Sequence, residues 1–213
     1  MRIVSAGLLA VIYLTAQVLG RLVHQSCKKD PEILQAFATV HAGLLLAAAC
    51  FELLPLSLDS ARWTVALTGL AAGAGCWISA KLYSYRGKRI SLSALLQTVC
   101  LGLALGAAYA PAERIGKKFL LVLFLAAFLQ SVSESKTWKG YFWQTATVLL
   151  GTVVGQLAGE IGIELGGACL AFAGSFLIIA SYQYLLPGKN KMETSGAGST
   201  ILGLLLGLGI TFL

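Results

Sequence analysis

Long apolar runs separated by short polar breaks make up most of this chain. A helix needs about 20 apolar residues to cross the hydrocarbon core of a bilayer, and most of the runs approach that length. The pattern predicts eight helices, near residues 3–20, 33–56, 63–82, 91–110, 117–133, 142–161, 165–186 and 197–213. The least marked break is the sixth, where Gly159 to Gly167 has to supply a loop. We therefore expect an all-α, polytopic membrane bundle that forms a single integral membrane domain over residues 1–213.

The composition agrees with a chain that lies in a lipid bilayer. Charged residues make up 12% of the sequence, whereas a soluble globular domain carries roughly 25%. The mean hydropathy is +0.80, and 213 residues leave room for seven or eight spans with short loops and for no separate soluble domain. The first apolar run, Ile3 to Gly20, has no convincing signal-peptide cleavage site and is expected to be the first span. Nucleotide-binding, serine-hydrolase and zincin motifs are absent, so we expect no enzymatic activity and no cofactor.

The basic residues are distributed unequally between the predicted loops. Most of the 16 Lys and Arg residues lie in or beside the odd-numbered loops: Arg21, Lys28, Lys29, Lys81, Arg86, Lys88, Arg89, Lys136, Lys139, Lys189 and Lys191. The N-terminus and the even-numbered loops hold Arg2, Arg62, Arg114, Lys117 and Lys118. Positive charge in short loops stays on the cytoplasmic side, so both termini are expected on the non-cytoplasmic side. The net charge of +7 is thereby explained by topology, and a nucleic-acid partner is not expected.

Two predicted helices end in the same tripeptide. Leu53-Leu54-Pro55 ends the second helix and Leu185-Leu186-Pro187 ends the seventh, with Ala42-Gly43 and Ala173-Gly174 standing at similar distances before the two prolines. The second and seventh helices cross the bilayer in opposite directions, and paired helices of opposite direction are typical of inverted-repeat secondary transporters. Chance repetition in apolar helices made from few residue types is the alternative.

Three stretches carry a resemblance to a known family. They are "GLALGAAYA" at 102–110, "AGLLLAAACFELLP" at 42–55 and "LAFAGSFLIIASYQYLLP" at 170–187. In order and orientation they resemble the fourth, second and seventh helices of the ZIP (zinc and iron regulated transporter-like) family of divalent-metal transporters. The resemblance implies a 3+2+3 arrangement, with one repeat over 1–84, central helices over 91–133 and an inverted repeat over 142–213. It also implies transport of a divalent metal cation as substrate.

The metal ligands of that family are only partly present. Its fourth helix carries His-Asn-x-x-Asp/Glu-Gly, and this chain has Gln97, Thr98 and Leu101 at the His, Asn and carboxylate positions. Nitrogen and carboxylate ligands one turn apart suit Zn²⁺ and similar ions, so these changes remove the usual donors.

The fifth helix of the family carries His/Gln-Glu/Asp-x-Pro-Glu-Gly, of which Gln130 and Glu134 match in type. Together with Gln97 and Cys100, these residues form the candidate metal site: Gln97, Cys100, Gln130 and Glu134. Two amide oxygens, one thiolate and one carboxylate are suited to a soft cation and are weak for zinc. The alternative for Glu134 is a carboxylate at the end of its helix that reaches headgroup water.

Other polar positions have both a structural and a functional interpretation. His41 and Glu52 align on one face of the second helix, about 16 Å apart. His41 is expected to be hydrogen-bonded to a neighbouring helix and Glu52 to lie at the outer interface, and the alternative is that the two residues mark an entry path for an ion. Gln156 and Glu160 repeat the i to i+4 spacing on the sixth helix. The glycine clusters 69–75 and 151–159 are expected to allow close helix approach.

The sequence thus supports three hypotheses about function. The first is a secondary transporter of divalent cations with altered ligands, which predicts a polar cavity lined by Gln97, Gln130 and Glu134. The second is a transport-inactive relative that acts as a structural or regulatory subunit, in a homodimer or with another membrane protein. It predicts that Val99, Leu101 and Val132 fill that space. The third is a transporter of another small solute.

Overall fold

The computed structural model describes residues 3–84, 92–109, 113–134, 137–185 and 195–212, and these are almost entirely helical. The helices are α1 (Ile3–Cys27), α2 (Pro31–Ala47), a π-helical segment (Ala48–Leu53), α3 (Leu54–Ser60), α4 (Trp63–Ser84), α5 (Leu92–Tyr109), α6 (Glu113–Ser133), α7 (Trp138–Ile161), α8 (Ile163–Leu185) and α9 (Ser195–Phe212). Since α2, the π-helical segment and α3 follow one another without a break, they form one rod over 31–60. The predicted all-helical class is confirmed, and each predicted helix corresponds to one rod.

Within the described residues, four helices are long and apolar enough to cross a membrane. They comprise Leu8–Cys27, Pro31–Ser60, Trp63–Leu82 and Ile163–Tyr182. Three shorter apolar helices accompany them, over Ala94–Ala108, Lys118–Ser133 and Gly198–Ile210. Large apolar side chains are exposed over much of the surface, as expected for a surface that faces lipid. The chain is therefore a membrane protein.

Three helix boundaries differ from the predicted ones. α1 continues to Cys27, because polar residues that end an apolar run do not end a helix. The rod over 31–60 continues past Pro55, which lies in the first turn of α3, where its missing N–H is tolerated. The predicted loop over Gly159 to Gly167 is wrong: Gly162 alone, with extended backbone, separates α7 from α8.

Four pairs of helices pack along their lengths: α1 with α6, α2 with α9, α4 with α8, and α5 with α7. The members of a pair run in the same direction, since their contacts advance together. In the α5/α7 pair, Gly102 faces Val148 and Gly106 faces Thr152. In the other three pairs, too, the contacts advance in the same direction along both helices. The contacting residues are Gly20 and His24 on α1, Gly43 and Ala47 on α2, and Gly69 and Gly73 on α4.

The α5/α7 pair is held at backbone contact by four glycines. A Cβ atom on Gly102 or Gly106 would overlap a backbone carbonyl oxygen of α7, and one on Gly151 or Gly155 would overlap one of α5. Small residues of this kind permit the close approach that stabilises helix pairs in lipid, where van der Waals contact replaces the hydrophobic effect.

Hydrogen bonds and ion pairs identify the two ends of the bundle. At one end His24, near the end of α1, bonds the carbonyl oxygen of Val132 near the end of α6, at 2.7 Å. Gln97, early in α5, is bonded to α2 there. At the opposite end Arg62 forms an ion pair with Glu164, with 3.2 Å between Nε and Oε1. We call the end that holds His24 and Gln97 the polar end.

The N-terminus of α7 carries a side-chain cap. The Oγ1 atom of Thr137 accepts a hydrogen bond from the backbone N–H of Gly140, at 3.3 Å. Thr137→Ala is therefore expected to lower the free energy of unfolding by about 1 kcal/mol, because one N–H of the first turn loses its partner. Thr68→Ala is the matched control: this exposed hydroxyl only donates to the Val65 carbonyl within its own helix. Equal losses in a chemical unfolding titration would contradict the capping role.

Candidate functional site

Buried polar side chains are concentrated at the polar end. Nine of them come from α1, α2, α5, α6 and α7, and we call this set the polar layer: Gln17, Thr39, His41, Gln97, Thr98, Gln130, Ser131, Gln144 and Thr145. Buried polar groups are costly within a membrane unless they are hydrogen-bonded, and they are enriched at functional sites. The polar layer is therefore the candidate functional site.

His41 and Gln97 link α2 to α5 inside the polar layer. Both are buried, at 1% and 3% exposure, and the Nε2 atoms of the two side chains are 3.1 Å apart. The two side chains form a hydrogen bond, and the tautomer of the imidazole sets which of the two groups donates. The prediction that His41 is hydrogen-bonded to a neighbouring helix is confirmed.

Gln17 and Gln144 link α1 to α7. The Gln17 Nε2 atom donates to Gln144 Oε1 at 3.0 Å, and the Thr145 hydroxyl donates to Gln17 Oε1 at 3.3 Å. Sequence reasoning missed this network, although polar residues inside two apolar runs were a signal for it.

Hydroxyl pairs extend the polar layer to neighbouring helices. Thr98 and Thr147 are 2.7 Å apart between α5 and α7, and Thr39 contacts Ser199 of α9. These hydrogen bonds connect five of the eight rods, namely those of α1, α2, α5, α7 and α9.

The four predicted metal-site residues occupy two environments. Gln97 and Cys100 are buried on α5, and Gln130 is buried on α6, which packs against α5. The amide nitrogen of Gln130 has no hydrogen-bond partner among the described residues. Glu134 is exposed just beyond Ser133, the last residue of α6, as expected of a carboxylate that reaches headgroup water.

The polar layer is poor in charged metal ligands. Among the described residues, no group of three or more His, Cys, Asp or Glu side chains is placed to hold a metal ion. Leu101 and Val132 are fully buried, at 1% and 0% exposure, and Val99 is half-buried. The atoms that the layer offers are mainly amide, imidazole and hydroxyl groups, so the candidate metal site stays a prediction.

Two cavities lie apart from the predicted site residues. One of about 110 Å³ is near the opposite end, lined by residues that include Ser60, Ala107, Gly159, Gly166 and Gly167. A second, of about 170 Å³, is lined by Leu46, Ile178, Ile179, Ser181 and Tyr182.

Gln156 and Glu160, which share the i to i+4 spacing on α7, are joined by a hydrogen bond of 2.9 Å in an exposed position.

Compared with protein-family models and with curated proteins, the sequence matches none.

Proposed function

We propose that this protein is a secondary transporter in which eight membrane-spanning helices form an inverted repeat with 3+2+3 organisation. The packing of the helix pairs carries the proposal. In such a repeat α1 corresponds to α7, α2 to α8, α4 to α9 and α5 to α6. The α5/α7 pair then corresponds to the α6/α1 pair, and the α2/α9 pair corresponds to the α8/α4 pair. All four of these pairs are the closely packed pairs of the bundle. The contact of α5 with α8 likewise becomes that of α6 with α2. Inverted repeats of this kind are frequent in secondary transporters.

The distribution of charge supports an orientation with the polar end in the cytoplasm. Lys28, Lys29, Lys81 and Lys139 lie near that end, where α1 and α4 finish and α7 begins. Positive charge is retained on the cytoplasmic side of membranes, so both termini lie on the other side.

The first candidate cargo is a divalent cation that passes through the polar layer. The imidazole of His41, the thiol of Cys100 and the amide oxygens of Gln97 and Gln130 are ligands that suit soft divalent ions better than hard ones. In this conformation the His41 Nε2 atom is occupied by Gln97, so the cargo has to displace that hydrogen bond. The resulting site carries little negative charge and binds weakly, which suits release after transport.

A transport-inactive subunit is the second candidate function. It is favoured by the complete burial of Leu101 and Val132, because Leu101 stands at the position of a metal-binding carboxylate in the ZIP resemblance. A helix interface filled in this way serves packing. The partner is then a second copy of the chain or another membrane protein.

Uptake of Zn²⁺, Mn²⁺, Fe²⁺ and Cd²⁺ into proteoliposomes of the purified protein tests the proposal. We expect uptake of at least one ion, abolished in the double variant Gln130→Ala/Glu134→Ala because two predicted ligands are lost. Gln156→Ala/Glu160→Ala is the matched control, with the same residue types and spacing at the opposite end, and should retain uptake. Absence of uptake by the wild type for all four ions would contradict cation transport and favour the subunit.

A further inference from the structure

Three polar side chains form a stripe along α1, and two of them, Gln17 and Arg21, contact α7. Tyr13, Gln17 and Arg21 follow one another at intervals of four residues and therefore lie along one side of the helix. Tyr13 and Gln17 are fully buried and Arg21 is half-buried. Polar and charged residues inside a membrane span are costly, so such a stripe indicates a function beyond packing.

The acceptor atoms of the α1/α7 interface already take part in hydrogen bonds. Gln144 Oε1 accepts from Gln17, and Gln17 Oε1 accepts from Thr145. The groups without a hydrogen-bond partner among the described residues are donors: Gln144 Nε2 and Arg21 Nη1. Gln144 itself is only 2% exposed. The interface therefore has an excess of buried donors, and the group that completes it has to supply acceptors.

Aromatic rings hold the cationic side chain in this interface. The guanidinium carbon of Arg21 is 4.5 Å from the centroid of the Trp138 ring and 5.9 Å from that of Tyr141. Both rings belong to α7, and Gln144 follows Tyr141 by about one helical turn. No carboxylate of the described residues forms an ion pair with Arg21, and among these residues its charge is met by the two ring faces.

We propose that α1 and α7 bind an anionic oxygen group, a carboxylate or a phosphate, between the guanidinium of Arg21 and the amide nitrogen of Gln144. A guanidinium presents parallel N–H donors that match the oxygens of such groups, and its charge strengthens each bond. Gln144 supplies a further N–H from the buried side, and the Tyr13 hydroxyl stands deeper along the stripe. Water could satisfy the individual donors, but it would leave the charge of Arg21 without a counterion.

The site is accessible from the polar end. Trp138 is 61% exposed, and Arg21 precedes the last residue of α1 by about 9 Å along the helix axis. An anionic group reaches this depth either from a lipid headgroup or from a soluble anion in the cytoplasm. The two sources offer the same chemistry to Arg21 and Gln144, and they can be separated by experiment.

The test uses the purified full chain in a neutral maltoside detergent and follows its thermal unfolding midpoint. One arm adds inorganic phosphate or acetate, with sodium chloride at equal ionic strength as reference. The other adds phosphatidylglycerol, with phosphatidylcholine at the same mole fraction as reference. We expect one arm to raise the midpoint by several degrees, and the arm that does so identifies the source. Arg21→Gln and Gln144→Leu should each abolish this rise, whereas Arg62→Gln, at the opposite end, should keep it.

A variant that carries its own anion keeps the test independent of misfolding. Gln144→Glu retains the oxygen that accepts from Gln17 and replaces the unpartnered nitrogen with a second oxygen. We expect it to raise the midpoint without added anion and to remove the anion response, and Arg21→Gln in the same chain should cancel the rise. The proposal is overturned if neither arm stabilises the wild type, or if the response survives in Arg21→Gln.

Discussion

Gly102→Leu is expected to prevent the bundle from assembling, with a loss of more than about 4 kcal/mol in the free energy of unfolding. A Cβ atom at Gly102 would overlap the carbonyl oxygen of Val148 and lie 2.9 Å from the carbonyl carbon and 3.0 Å from the N atom of Thr152. These are backbone atoms of α7, which cannot rotate away as a side chain can. The larger side chain therefore forces α5 and α7 apart, and the contacts along the whole pair are lost.

Gly75→Leu is the matched control, since Gly75 also lies inside a membrane helix. A Cβ atom there meets no heavy atom within 4 Å. The variant should fold as the wild type does, and its helix gains up to about 1 kcal/mol because glycine is a poor helix former. Size-exclusion chromatography and unfolding in sodium dodecyl sulfate measure both variants. Similar stability of the two would show that α5 and α7 do not cross at Gly102.

The glycine clusters illustrate what a sequence pattern can predict about packing. Close approach was predicted for both clusters, and Gly69, Gly73, Gly151 and Gly155 do lie against neighbouring helices. Gly75, in the same cluster as Gly73, faces open space. The spacing of small residues defines a narrow face, but which residues lie at its centre depends on the rotation of each helix about its axis. That rotation is set by all neighbours together and is not encoded locally.

The helices were predictable because hydropathy reports directly on burial in lipid. The positions of the helix ends were not predictable. Arg21 and His24 extend α1 beyond its apolar run, since polar residues near the headgroups retain helical hydrogen bonds. Pro55 looked like a terminator, but the chain begins a new helical segment there and uses proline in its first turn. A break of the single residue Gly162 is too short to leave a compositional signal.

Some residues of the candidate site were predictable, but their hydrogen-bond partners were not. Gln97 and Gln130 were identified as polar positions in the two central helices, and both are buried. The hydrogen bond from Gln97 to His41 joins residues 56 positions apart, and that from Gln17 to Gln144 spans 127. Periodicity shows which face of a helix is polar, but the helix that receives this face is determined by the packing of the whole bundle.

Gln17→Leu is expected to lower the free energy of unfolding by about 1–3 kcal/mol, the penalty for a buried polar group that loses its partner. The change leaves Gln144 with neither of its amide atoms bonded to a described residue. The Thr145 hydroxyl keeps a partner in the Tyr141 carbonyl oxygen, at 3.0 Å, so the loss falls on Gln144 and on the contact of Gln17 with Tyr13. Reversible unfolding in mixed micelles measures it. Gln156→Leu is the control, because it breaks an exposed bond of 2.9 Å to Glu160 and should cost no more than about 0.5 kcal/mol.

The double variant Gln17→Leu/Gln144→Leu separates the hydrogen bond from the burial of its partners. With both amides replaced by apolar side chains of similar length, no acceptor at this contact is left unsatisfied, and the interface gains apolar packing. The double variant should therefore lose less stability than the two single variants added together, with a coupling energy of about 1 kcal/mol, as for interhelical hydrogen bonds in other membrane proteins. Strict additivity would mean that Gln17 and Gln144 are not bonded across α1 and α7. A coupling of the expected size would establish that the polar layer holds the two helices together even when no ligand is bound beside Arg21.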